Sequence, residues 1–174
     1  IGRMARTIVR EAGVRWRPHT KGIKTPAIAH MMLAAGATGV TCAKLGEAEV
    51  MAGAGIHDIL IANQIVGAEK VARLVNLRKH ADVMVAVDSI AGASAIDVAA
   101  RAKGVRVRVL IEVNIGLNRA GTEMFGPTVE FAKRVHAMPG LDFRGVMGWE
   151  AHATTVLDPV KKRDVWTDLQ AVMA

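Results

Sequence analysis

Val105-Arg106-Val107-Arg108-Val109-Leu110-Ile111-Glu112-Val113-Asn114 is the stretch that decides the fold. Side chains alternate across a strand, so Val105, Val107, Val109, Ile111 and Val113 share one apolar face. The other face carries Arg106, Arg108, Glu112 and Asn114, an unusual load for a simple sheet interior. In a closed parallel barrel those residues line the inside, and the last of them reaches the mouth.

Outward from this strand the chain repeats one rhythm. Strand-like runs begin near Val14, Gly39, Asp58, Asp82, Val105 and Leu141, and a helical pattern follows each. Thr25-Pro26 supplies an N-cap and a proline at the first helical position; Ile28, Met31, Met32 and Ala35 then fall on one face before Gly36 stops the helix. Val71, Leu74 and Val75 mark a later helix, as do Phe131, Val135 and Met138 ahead of Pro139-Gly140. Six such units without a break in composition predict one parallel sheet, as a barrel or doubly wound. A doubly wound sheet wants a glycine-rich loop after an early strand. Gly53-Ala54-Gly55 precedes a strand instead and reads as a helix stop. The fold class expected is therefore α/β, a (β/α)8 TIM-type barrel of which about six βα units are present. Six units leave two apolar edges open. The chain also opens on Ile1 inside a helical pattern, so residues 1–174 are expected to be one barrel domain truncated at both ends.

Composition narrows the function classes. About half of the 174 residues are apolar, enough for one domain with a real core. The net charge of +7 raises nucleic acid as a partner, but the basic residues are scattered and the longest run is Lys161-Lys162-Arg163. With aromatics at 3%, little is available to stack on bases, so no nucleic acid is expected. Thr25 to Ala43 has no charged side chain other than His30 and is long enough to span a membrane. Its Ala, Gly and Thr content and the breaks at Gly36 and Gly39 read better as a helix, a turn and a buried strand. The single Cys42 excludes an internal disulfide and fits a reducing, cytoplasmic compartment.

Chemistry is expected at the strand ends: Lys21, Cys42-Ala43-Lys44, Asn63-Gln64, Asp88-Ser89, Asn114 to Gly121 and Trp149 to His152. A barrel gathers all of these at one mouth. Lys21 stands where an apolar strand stops, and desolvation with Arg17 and Lys24 as neighbours would lower its pKa toward the free amine that condenses with a carbonyl. Taken alone, Lys21 reads as a solvated loop lysine, Arg119 as a turn or pairing residue and Trp149 as core. Lys44 is a rival to Lys21, since it too ends a strand. Cys42 reads as plain core. No zincin pair, cysteine pair or nucleotide phosphate loop occurs.

Four stretches carry a resemblance. Arg17-Pro18-His19-Thr20-Lys21, then Gly39-Val40-Thr41-Cys42-Ala43-Lys44-Leu45-Gly46-Glu47-Ala48-Glu49-Val50 with Asp58-Ile59-Leu60-Ile61-Ala62-Asn63, come first. Glu112 to Gly121 and Gly145-Val146-Met147-Gly148-Trp149-Glu150-Ala151-His152 follow. In order and over nearly the whole chain, they resemble the D-threonine aldolase and D-serine dehydratase family. These are fold-type III pyridoxal-phosphate enzymes built on an alanine racemase-like barrel with a C-terminal β domain.

The resemblance implies that Lys21 carries pyridoxal phosphate, that Arg119 lies beside the cofactor ring, and that Trp149 stacks on its face. His19 and His152 read as proton carriers or groups behind the substrate contacts, and equally as structural residues; Gln64 is well placed at its strand end for a substrate contact. The resemblance implies a lyase acting on β-hydroxy D-amino acids, giving glycine and an aldehyde in the manner of a D-threonine aldolase. A D-serine or 3-hydroxyaspartate dehydratase is the alternative on the same scaffold, and a cofactor-binding protein without turnover is another. A divalent metal, Mn or Mg, is expected in the full-length protein, with its ligands and the phosphate loop beyond this chain. The resemblance leaves room for a homodimer. Four positions depart from the family: Gly22-Ile23 replaces a Thr-His pair, Asn114 stands where an acid is common, and Trp149 where tyrosine is common.

Overall fold

The computed structural model describes residues 1–173. Five strands, β1 (Val40–Cys42), β2 (Asp58–Gln64), β3 (Asp82–Val87), β4 (Val107–Val113) and β5 (Leu141–Gly148), pair in the order 1-2-3-4-5. Every pair is parallel. Ahead of them, α1 (Gly2–Ala5) runs into a π-helical segment, Arg6–Glu11, and α2 (Pro26–Ala34) leads to β1. The crossovers are α3 (Leu45–Gly53), α4 (Ala68–Leu77), α5 (Ile90–Ala102) and α6 (Gly126–His136), with α7 (Ala151–Thr154) and α8 (Pro159–Met173) after β5. Crossovers of the usual right hand between successive neighbours place all helices on one face of the sheet. The winding is that of a barrel.

The helix-facing side is the core. Ile59, Ile61, Val83, Val85, Val107, Val109 and Ile111 are fully buried there against Leu74, Val75 and Val135. The alternation read from β4 is thus the observed one. On the inner face Arg108 takes Asp58 Oδ1 at 2.8 Å and Asp82 Oδ2 at 2.9 Å, while Arg17 takes Asp58 Oδ2 at 2.7 Å. The first residues of β2 and β3, Asp58 and Asp82, sit side by side in register, and with Arg78 also pairing with Asp82 at 3.2 Å, three arginines balance a pair of like charges at the floor of the inner face.

Two expectations need correction. The run beginning near Val14 is not a full strand. Residues 16–20 lie along β1 through Thr38 N to Trp16 O (2.8 Å), Thr41 N to Pro18 O (2.8 Å) and Thr20 N to Thr41 O (2.8 Å). Pro18 has no N–H with which to add a rung, and only the bridge His19–Thr41 registers. In α2 the buried residue is Ala29, with Leu33 packed on the same core, whereas Met31 is 59% exposed. A helix apolar on every side gives its periodicity nothing to point with. The uncharged stretch Thr25 to Ala43 does resolve into α2, a turn and buried β1, and no described helix is long and apolar enough to cross a membrane.

Candidate functional site

The C-terminal ends of the strands surround a cavity of about 390 Å³. His19, Lys21, Gln64, Arg119 and Trp149 all line it, so five of the six residues singled out in the sequence come together. Each is placed by a local feature of its segment.

Lys21 follows the bridge residue His19 by two, and a turn closed by Ile23 N to Thr20 O (3.0 Å) and Lys24 N to Thr20 O (2.8 Å) ends the extended run there. The Thr20 side chain is buried on the helix side, its hydroxyl donating to the Thr41 carbonyl at 3.0 Å. Alternation therefore puts His19 and Lys21 on the inner side. The Lys21 amine stands 5.5 Å from the centre of the Trp149 ring. The cationic neighbours expected for Lys21 are engaged elsewhere: Arg17 with Asp58 on the floor, Lys24 with Glu47 at 3.4 Å.

The Lys21 backbone N–H donates to His19 Nδ1 at 3.2 Å, which leaves Nε2 as the protonated nitrogen of the neutral ring. Burial lowers the His19 pKa below its ordinary 6.5, and the Lys21 charge lowers it further, with the Glu47 carboxylate opposing. His19 is held neutral. Burial would also raise the Glu47 carboxyl, but hydrogen bonds from the Ala43 backbone and Lys24 outweigh it and keep that group low. Cys42 is fully buried and its thiol is pushed up by burial, which suits the core role read for it.

A bulge brings Gln64 to the mouth. Ile61 pairs with Val85 but Gln64 pairs with Ala86, so Ala62 and Asn63 are extra residues on β2. Asn63 holds the bulge, donating from Nδ2 to the Ala43 carbonyl (3.2 Å) and accepting the Gln64 N–H at Oδ1 (3.0 Å).

Arg119 is carried by the turn after β4. The Asn114 carboxamide oxygen accepts from Gly116 N (3.2 Å) and Asn118 N (3.0 Å), and Asn118 takes a left-handed φ of 56°. Gly121 closes the turn with φ 107°; a Cβ there would stand 2.5 Å from Asn114 N. The Gly121 N–H also donates to Asp88 Oδ2 at 3.2 Å, tying the turn to β3.

His152 is not at the cavity. Its ring stands next to Gly116: a Cβ built there would lie 3.1 Å from His152 Nε2, so the glycine leaves room for the imidazole. Lys44, the rival lysine, is an exposed N-cap of α3 and does not line the cavity. Glu112 was not among the expected site residues. It is 3% exposed, accepts from Gln64 Nε2 at 2.6 Å and pairs with Arg119 at 3.4 Å. Its signal was present as the one acid in a strand otherwise built of apolar residues and arginines.

Among the described residues no group of three or more His, Cys, Asp or Glu is placed to hold a metal. What the cavity offers is a primary amine, an aromatic face and a guanidinium around one space. That donor set fits a planar aromatic aldehyde bearing polar substituents.

Comparison with known proteins gives the same direction. Residues 3–173 match the family of alanine racemase N-terminal domains. A D-threonine aldolase of Arthrobacter sp is 37% identical over 136 residues, 78% of this chain and 36% of that protein. A D-threo-3-hydroxyaspartate dehydratase of Delftia sp. (strain HT23) is 37% identical over 127 residues, 70% of this chain and 33% of the relative. The crystal structure of D-threonine aldolase from Filomicrobium marinum superposes with a TM-score of 0.94 at 38% identity, covering 98% of this chain and 46% of that one. The chain thus spans about a third of the length of these curated relatives.

Proposed function

This chain belongs to the family of alanine racemase N-terminal domains, and on that premise we propose that it is the cofactor-bearing part of a pyridoxal-phosphate lyase for β-hydroxy D-amino acids. The reaction is cleavage of the Cα–Cβ bond of a D-threonine-like substrate to glycine and an aldehyde. The observation that carries the proposal is the Lys21 amine facing Trp149 across a cavity that Arg119 also lines.

Lys21, Trp149 and Arg119 would hold pyridoxal phosphate, which when bound supplies an electron sink for a bond broken at the substrate's Cα. The protein's part is orientation: the bond to be broken must stand perpendicular to the ring. Trp149 sets the tilt of anything lying on it, and Arg119 offers N–H donors to polar atoms at its edge. Retro-aldol cleavage releases the β-hydroxyl proton as the carbonyl forms. His19, neutral and with Nδ1 occupied by the Lys21 N–H, presents an Nε2–H that can hold a substrate oxygen in place, with Gln64 as a neutral hydrogen-bonding partner. The base that takes the β-hydroxyl proton is proposed to lie with the metal outside this chain. His152 stands behind these residues, next to Gly116 of the Asn114–Gly121 turn.

The complete protein is proposed to use a divalent metal, Mn or Mg, at ligands outside this chain, and to work in the cytoplasm as a homodimer. The aldolase is preferred to the dehydratase because the D-threonine aldolase structure superposes at a TM-score of 0.94, against 0.86 for the dehydratase of Delftia sp. HT23. Product analysis of the full-length protein with D-threonine separates the two: glycine and an aldehyde are expected, and a 2-oxo acid with ammonia would assign the dehydratase.

A further inference from the structure

We propose that Glu112 is a positioning residue of this site, the buried carboxylate that fixes the Gln64 amide and the Arg119 guanidinium as a pair of oriented groups at the cavity. The inference rests on the reading of the cavity as a cofactor site.

Three observations carry it. Glu112 is on the inner face of β4 and its side chain is 4% exposed, whereas Arg119 is 55% exposed. A carboxylate so enclosed needs partners, and its two side-chain partners both line the cavity: Gln64 Nε2 on Oε2 at 2.6 Å, Arg119 Nη2 on Oε1 at 3.4 Å. They arrive from different elements, the β2 bulge and the turn after β4, so Glu112 ties together two segments that nothing in their own sequence holds in register.

The consequences are chemical. A carboxylate accepts only, so it fixes which end of the Gln64 amide it meets: Nε2 turns to Glu112, and Oε1 has no protein partner among the described residues. Gln64 is thereby made an acceptor for a hydroxyl or ammonium group. The guanidinium has five N–H donors and uses one on Glu112, which leaves the rest for a bound anion or ring oxygen. Without the carboxylate the Arg119 side chain, more than half exposed, would sample many rotamers and lose its preorganisation.

The test uses the full-length protein and a double-mutant cycle of Glu112→Gln and Arg119→Gln. Its readouts are the dissociation constant for pyridoxal phosphate, titrated into apoprotein by visible absorbance, and the apoprotein melting temperature. Glu112→Gln is expected to weaken cofactor binding about tenfold, the size of a lost charged hydrogen bond. It should have little further effect once Arg119 is replaced. Effects of the two substitutions that add independently, or an unchanged constant in folded Glu112→Gln, overturn the proposal. Should Glu112→Gln not fold, Glu112→Asp, which keeps the charge but loses the reach, is expected to fold and bind more weakly; unchanged affinity there also overturns it. If wild-type protein takes up no pyridoxal phosphate, the cofactor reading fails instead. The melting-temperature cycle then still decides whether residues 112 and 119 are coupled, additivity going against the proposal.

Discussion

The Lys21 amine and the Trp149 ring meet at 5.5 Å although they lie beyond opposite edges of the sheet, one beside β1 and the other after β5. In a flat sheet, five spacings of roughly 4.8 Å would hold the segments bearing them about 24 Å apart. The contact therefore measures curvature. It is the closing of the inner face that turns separate strand ends into one cavity.

Trp149→Ala should release the cofactor more readily from the full-length protein, because an aromatic face stacked on a ring contributes about 0.5–1.5 kcal/mol beyond its buried area. Equilibrium dialysis against pyridoxal phosphate should show a several-fold weaker constant for the alanine variant. For Trp149→Tyr, which keeps a π face, the loss should be small. Equal losses in both would mean that bulk, not stacking, is what Trp149 contributes.

His19 gives a pH handle. Its folded pKa lies below 6.5, first through burial and then through Lys21, so in acid the unfolded chain takes up this proton before the folded one does. Its contribution to stability is complete above pH 6.5 and is lost as pH falls from there through the folded value. In cofactor-free protein, Lys21→Met should raise the His19 pKa as followed by NMR of the imidazole Cε1–H. No change, or a fall, would contradict the coupling.

The floor of the inner face should carry stability. Arg108→Leu leaves Asp58 and Asp82 side by side with Arg17 and Arg78 as their remaining cations. Breaking a fully buried pair costs about 3–5 kcal/mol, and the partial exposure of these carboxylates scales that to about 2 kcal/mol in denaturant unfolding. Burial would raise the Asp58 carboxyl, yet hydrogen bonds from Arg17 and Arg108 outweigh it and hold it below its ordinary 3.8. That stabilisation is present above pH 3.8 and lost as pH falls through the folded value. Arg108→Leu should accordingly begin acid unfolding at higher pH than the wild type.

Much of this was legible before any coordinate. The alternation of β4 separated helix-facing valines from inner-face charges, and the family resemblance, together with the strand-end position of Gln64, named five residues that do share a cavity. What stayed hidden depends on tertiary approach. Pro18 removes a rung that only the partner strand reveals, and α2 has no polar face to show which side turns inward. The β2 bulge left no mark in a run reading Asp58-Ile59-Leu60-Ile61-Ala62-Asn63-Gln64, although it is what aims Gln64. Glu112 was seen on the inner face, but its tie to Gln64 spans 48 residues, a distance over which spacing carries no information.

Gly121→Ala is expected to disturb the turn that carries Arg119. The new Cβ would lie 2.5 Å from Asn114 N and 2.7 Å from the Val113 carbonyl carbon, both backbone atoms, at a φ of 107°. Strain of this kind costs about 1–3 kcal/mol. Thermal unfolding should show that loss, and cofactor affinity should fall with it. A variant as stable as wild type would mean that the turn relaxes freely.

The most direct measurement of the central claim is borohydride reduction of the full-length protein with its cofactor, followed by digestion and peptide mass spectrometry. A pyridoxyl-phosphate mass is expected on the peptide containing Lys21 and is expected to be absent from a Lys21→Met variant. The same mass on the Lys44 peptide, or on none, would contradict that claim.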